Sequence, residues 1–216
     1  MSGIVVLISG RGSNLEAMCN NTTLITQIKC VISNTSDALG LEIAKKFGIP
    51  YTIVEHKQYK TREEFDKQLA LIIDSYNPGF IILAGFMRIL SSWFVTHYSM
   101  RLVNIHPSLL PSFIGTDAIK QAFATKVKVS GITIHFVTDK LDHGPIIAQA
   151  VVAVMPCSNV EELANRIHKL EHLVYPFIIH KLLTGKVQVL DNGLVTVKKE
   201  DCDLITLSEF HSSIFY

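Results

Sequence analysis

The chain has 216 residues, room for one domain or two, and its composition of 48% hydrophobic and 18% charged residues is globular, which excludes a mostly disordered chain. Twenty Lys and Arg against 19 Asp and Glu leave a net charge of +1, no general electrostatic footprint for a nucleic-acid backbone or an anionic membrane. No apolar stretch approaches the ~18 residues that a spanning helix requires; the longest, residues 80–87, is of strand length.

In chain order, Ile4-Val5-Val6-Leu7-Ile8 is a continuous apolar run, as expected of a strand buried on both faces of a parallel sheet. Its early start leaves no room for a signal peptide. Gly10, Gly12, Ser13 and Asn14 follow, then a short helical stretch from Leu15. Residues 28–32 predict a second strand, 37–47 a helix and 51–54 a third strand. Thr61-Arg62-Glu63-Glu64 is a capping box that opens a helix running to about Tyr76. Residues 80–84 form the most apolar strand, expected at the centre of the sheet. A helix over 91–97, a strand over 102–106 closed by Pro107 and a helix over 116–125 complete this alternation.

The pattern then changes. Residues 127–137 and 145–154 are two β-rich runs joined by a short polar loop, an antiparallel extension rather than another βαβ unit. Ser158-Asn159-Val160-Glu161 reads as a second capping box, opening a helix towards Leu183 in which Pro176 should cause a kink or a stop. Asn192-Gly193 is a type I′ hairpin signal. The cysteines at 19, 30, 157 and 202 form no C-x-x-C pair, which suits reduced thiols in the cytoplasm. The expected fold is α/β: a Rossmann-like, mostly parallel twisted sheet with helices on both faces and an antiparallel extension towards the C-terminus. Residues 1–185 make one domain, and 186–216 a hairpin and tail attached to it.

Three segments carry chemistry. Gly10-Arg11-Gly12-Ser13-Asn14 lies between a strand and a helix, where backbone N–H groups can hold an anion. G-x-G-x-x-G is incomplete at Leu15, and Ser33-Asn34 end the second strand in place of the acid that binds the ribose of NAD. One phosphate monoester fits this loop; a tight βα turn capped by Asn14 is the lesser alternative. Asn104 and His106, two apart on a strand, point to one face. An amide donor beside an imidazole suits chemistry through an oxyanion with proton transfer. Asp139 and Asp142 stand in a polar loop from which a carboxylate could orient a His, though the loop also reads as an ordinary turn. His168 and His172 are helical neighbours, but without H-E-x-x-H or a third ligand they make no metal site.

These segments resemble a known family. Ile8-Ser9-Gly10-Arg11-Gly12-Ser13-Asn14-Leu15, Leu83-Ala84-Gly85-Phe86-Met87-Arg88-Ile89-Leu90, Asn104-Ile105-His106-Pro107-Ser108-Leu109-Leu110-Pro111 and the block from Gly131 to Gly144 match, in order and spacing, the folate-dependent formyltransferases. Within them the chain is similar to the phosphoribosylglycinamide formyltransferases, also called glycinamide ribonucleotide transformylases. The resemblance covers residues 4–183. It implies formyl transfer from 10-formyltetrahydrofolate, a co-substrate, to N1-(5-phospho-D-ribosyl)glycinamide in purine synthesis, with no metal and no permanently bound cofactor. By the same resemblance Asn104, His106 and Asp142 are catalytic. Gly12, Ser13, Asn14, His168, Lys169, Leu170 and Glu171 bind the phosphoribosyl glycinamide. Arg62, Met87, Arg88, Ile89, Leu90, Asn104, Thr138, Asp139, Lys140, Leu141 and Asp142 line the folate pocket. A cis Leu110–Pro111 bond is implied as well. Arg11 and His143 stand where many relatives have smaller residues, and 116–119 lacks a His many of them carry. The partners implied are small molecules, with no nucleic acid or membrane, and a homodimer is left open.

Other readings remain. A 10-formyltetrahydrofolate hydrolase would use water as acceptor, but such relatives usually carry an extra N-terminal domain. A methionyl-tRNA formyltransferase would need a basic C-terminal domain. A non-catalytic phosphoribosyl-binding module would need the glycine loop alone, leaving Asn104, His106 and Asp142 without a task.

Overall fold

The computed structural model describes residues 3–155, 157–190 and 193–197. The first apolar run is β1 (Ile4–Ile8), buried throughout. Ile4, Val6 and Ile8 enter one core while Val5 and Leu7 enter the other, so a single strand needs no polar face. Then follow α1 (Ser13–Cys19), the single turn α2 (Thr22–Ile25), β2 (Ile28–Ser33), α3 (Gly40–Lys46) and β3 (Tyr51–Ile53). Next is α4 (Arg62–Tyr76), whose capping box is complete: Thr61 Oγ1 accepts from Glu64 N, and the Glu64 carboxylate accepts from Thr61 N. Then come β4 (Phe80–Leu83), α5 (Ser92–His97), β5 (Leu102–His106), α6 (Ala118–Ala124), β6 (Val129–Phe136), β7 (Ile146–Ala153), α7 (Val160–Leu183), β8 (Val187–Val189) and β9 (Val195–Val197).

Seven strands form one sheet in the order β3-β2-β1-β4-β5-β6-β7. The first five are parallel; β6 pairs antiparallel with β5, and β7 antiparallel with β6. The most apolar strand, β4, is central as expected. Helices α1, α3, α6 and α7 pack on one face around Leu15, Leu41, Ala122 and Tyr175, and α4 and α5 on the other around Phe65 and Phe94. The Tyr175 hydroxyl is shared between the Leu83 and Val103 carbonyls, each at 3.0 Å, which fixes α7 across β4 and β5. The small β8–β9 pair is antiparallel. Asn192 of the hairpin signal and residues 198–216, with Cys202, lie outside the described residues.

Local expectations differ in three places. The helix expected from 37 begins at Gly40. Asp37 instead accepts the Thr35 hydroxyl in a turn, and Gly40 N donates to Gly10 O at 3.0 Å, so docking against the glycine loop sets the start of α3. The cap of α7 is Asn159, one residue later than expected: its Oδ1 accepts from Glu162 N, and Glu162 Oε2 accepts from Ser158 N, both at 2.8 Å. Pro176 does not end α7. It removes one N–H from the helix ladder, but the buried Tyr175, Ile178 and Ile179 hold both halves in one core.

Candidate active site

The strand order reverses direction between β1 and β4. Open α/β sheets bind ligands at such a switch point, outside the carboxyl ends of the strands. A cleft of about 730 Å³ opens there, walled by the glycine loop, by Ala84, Gly85 and Met87, and by one face of α7. Gly12 is at φ 78°, and a β-carbon on it would lie 2.6 Å from Gly40 Cα. The loop therefore packs closely against Gly40 and Ile43 of α3, which leaves no room for a side chain at Gly12.

Asn14 does not cap α1; Gly12 occupies the cap position. The buried Asn14 amide donates from Nδ2 to Glu171 Oε2 at 3.1 Å, bridging α1 and α7, and its Oδ1 is buried without a protein partner. Burial pushes the Glu171 carboxyl up to about 7, against the lowering effect of Asn14. His168 and His172 share this wall. Burial holds the pKa of both down, helped at His168 by the charges of His172 and Arg11 and opposed at His172 by Glu16. Lys169 also faces the cleft, whereas Leu170 turns into the core. Of the expected phosphoribosyl set, Gly12, Ser13, Asn14, His168, Lys169 and Glu171 thus share one cleft, and the Leu170 side chain does not.

Asn104 and His106 project from β5, beside the cleft walls formed by Ile105 and Pro107. The His106 Nε2–H donates to Phe113 O at 2.8 Å, while Nδ1 lies 3.6 Å from Asp142 Oδ2. Both ring nitrogens thus face protein oxygens. Asp142 Oδ2 also accepts from Gly115 N at 3.1 Å. Phe113 and Asp142, which supply these oxygens, have φ of 56° and 54°. The Leu110–Pro111 bond is cis.

The residue that sequence reasoning missed is His135. It lies opposite Asn104 in the β5–β6 register. Its Nδ1–H donates to Phe136 O at 2.9 Å, leaving Nε2 to accept the Asn104 amide at 3.3 Å. Burial holds its pKa down, against the raising effects of the Phe136 bond and Asp142, and His106 adds to the lowering. A neutral His135 therefore fixes which way Asn104 points. The signal was present in the alternation of Gly131, Thr133 and His135, but it needed the strand register to be read.

The expected folate residues gather elsewhere. Met87 lines the cleft and is exposed. Arg88 lies over the Phe65 ring at 4.7 Å, and Leu90 enters the α4–α5 core. Arg62 and Arg88 both pull down the pKa of the buried Asp66, which its burial raises. Ile89 and Leu141 are exposed, as are Asp139 and Lys140 on the loop that delivers Asp142; Thr138 donates to Lys140 O. Arg62, Arg88, Ile89, Leu90 and residues 138–141 thus lie outside the 730 Å³ cleft. Among the described residues no group of three or more His, Cys, Asp or Glu could hold a metal, and no helix is long and apolar enough to cross a membrane.

Comparison with known proteins matches residues 2–179 to the formyl transferase family. The phosphoribosylglycinamide formyltransferase of Escherichia coli K12 is 42% identical over 193 residues, which cover 88% of this chain and 91% of that protein. The human trifunctional purine biosynthetic protein adenosine-3 is 42% identical over 201 residues, and the chain spans only a fifth of its length. A crystal structure of phosphoribosylglycinamide formyltransferase from Anaplasma phagocytophilum superposes with a TM-score of 0.86 at 42% identity, covering 92% of this chain and 95% of that one. Matched over most of its length by the family and by a full-length relative, the chain belongs to the formyl transferase family.

Proposed function

We propose that this chain is a phosphoribosylglycinamide formyltransferase. It moves the formyl group of 10-formyltetrahydrofolate to the amine of N1-(5-phospho-D-ribosyl)glycinamide, giving the N2-formyl product and tetrahydrofolate in purine (IMP) biosynthesis. One observation carries this reading: Asn104, His106 and Asp142 converge at the end of β5, beside a cleft whose far wall holds the glycine loop and Glu171. Residues 1–185 are the catalytic unit in this reading, and 186–216 an attached hairpin and tail. A cytoplasmic location belongs to it too, supported by three buried free thiols, Cys19, Cys30 and Cys157. Its partners are small molecules, with a homodimer left open.

In the mechanism the loop N–H groups of residues 12–14 hold the substrate phosphate, and Glu171 and the α7 face hold its ribose and glycinamide side. The glycinamide amine attacks the formyl carbon. The oxyanion that forms is met by the Asn104 amide, already oriented by His135, and by the His106 imidazolium once Nε2 has exchanged the Phe113 carbonyl for substrate. Asp142 balances the imidazolium charge. His106, directly or through water, then delivers a proton to the N10 leaving group, and the proton lost by the attacking amine restores the charged ring. Holding both substrates in one crevice supplies much of the rate.

The test offers the protein 10-formyltetrahydrofolate with the ribonucleotide and water as competing acceptors. Formyl-glycinamide ribonucleotide should accumulate with one equivalent of tetrahydrofolate. Formate as the main product would mean a hydrolase, and tight phosphate binding with no folate turnover would mean a binding module.

A further inference from the structure

Ser9 follows β1 and directly precedes the glycine loop. Its hydroxyl donates to Asn34 Oδ1 at 2.6 Å and accepts from Met87 N at 2.8 Å. Asn34 is buried just past β2. Its carbonyl accepts from His56 Nδ1 at 2.7 Å, and its Nδ2 lies 3.1 Å from the same ring nitrogen. His56 follows β3. These contacts cross the carboxyl ends of β3, β2, β1 and β4 in the order in which those strands lie in the sheet. They end on the backbone of Met87, a wall of the cleft.

Two further observations give this brace a task. A dinucleotide-binding sheet ends its second strand with an acid for the ribose; here Asn34 stands near that place, its side-chain oxygen taken by Ser9 and its backbone carbonyl by His56. In addition, the segment after Gly85 is anchored in the core at Phe86 and Leu90, while Met87 is 75% exposed and Ile89 59%. Its polar fixed points are the Ser9 hydroxyl at one end and the Asp66 carboxylate at the other, which accepts from Ser91 N at 2.6 Å. Without the first, nothing polar ties residues 87–90 to the glycine loop.

We propose that Ser9 is a positioning residue that ties residues 87–90 to the strand end before the phosphate-binding loop, and so holds the two walls on which the substrates bind. This rests on the proposed function, in which one loop takes the ribonucleotide and the other the folate. Each substrate should then bind less well when the tie is cut, although Ser9 itself touches neither reacting atom.

Ser9→Ala removes both bonds without adding bulk. A net hydrogen bond is worth about a three- to tenfold change in an equilibrium, so KM for the ribonucleotide and KM for the folate should each rise by about that factor. The kcat should stay within about twofold, and Ser9→Thr, which keeps the hydroxyl, should restore both KM values. Hydrogen exchange at the Met87 amide, read by NMR without any substrate, should accelerate in Ser9→Ala and not in Ser9→Thr. Unchanged KM values, a loss confined to kcat, a failure of Ser9→Thr to restore them, or an unchanged Met87 amide would each overturn the proposal. If the wild-type protein transferred no formyl group, the functional reading would fall, and the amide measurement would still decide whether Ser9 holds Met87.

Discussion

In the proposed function the glycine loop meets substrate with backbone N–H groups and one helix face; at the end of β5 four side chains from three segments come together, Asn104, His106, His135 and Asp142. The first region is set by close packing. Gly12 lies against Gly40, and Asn14 bridges two helices through a buried bond to Glu171. The second is gathered by hydrogen bonds from the ends of separate strands and loops. A region preformed by packing binds ground state and transition state alike, while a region of aimed donors acts where charge develops. Damage to the loop end should therefore appear in KM, and damage to the strand end in kcat.

The largest expected effect is at the strand end. Asn104→Ala removes an oxyanion donor and should lower kcat by roughly 10²–10³, with KM for the ribonucleotide nearly unchanged, as measured by steady-state turnover at saturating folate. A rise in KM with kcat intact would erase the contrast between the two ends.

The next prediction sharpens the loop end through pH. The Glu171 carboxyl is raised from 4.5 to about 7 by burial. Between those values the folded chain binds a proton that the unfolded chain has lost, so stability falls as pH rises through this window. The loss amounts to about 3 kcal/mol once pH exceeds 7. Glu171→Gln removes that cost: in thermal melts it should exceed the wild type at pH 8 and lose its advantage near pH 4. The same variant should raise KM for the ribonucleotide while sparing that for the folate. Equal melting temperatures at pH 8 would show that the carboxylate is not strained by its burial.

The smallest effect lies at neither end and serves as a control. Asn159→Ala removes the cap of α7 and should cost ~1 kcal/mol, lowering the melting temperature by about 2–4 °C. Both KM values and kcat should hold, because the cap is more than two turns from His168. If kinetics moved with it, α7 would be transmitting strain to the cleft.

What the sequence revealed was local in origin. Alternation placed Asn104 and His106 on one face, an unbroken apolar run marked β1, and Thr61 with Glu64 marked the start of α4. What it hid depended on partners distant in the chain. Asn14 read as a cap because Glu171, 157 positions away, is invisible to local spacing. His135 needed the β5–β6 register, and the start of α3 needed the glycine loop it docks on. The residues expected to bind folate showed as a motif, yet within one segment Met87 lines the cleft while Leu90 enters the α4–α5 core.

Phe113 and Asp142 hold the left-handed backbone that side chains with a β-carbon avoid. For Phe113 that conformation costs roughly 1–2 kcal/mol. Its carbonyl covers His106 with one hydrogen bond, worth a net ~0.5–1.5 kcal/mol. The two magnitudes nearly cancel. Under the proposed function, exchanging this carbonyl for substrate would therefore cost His106 little.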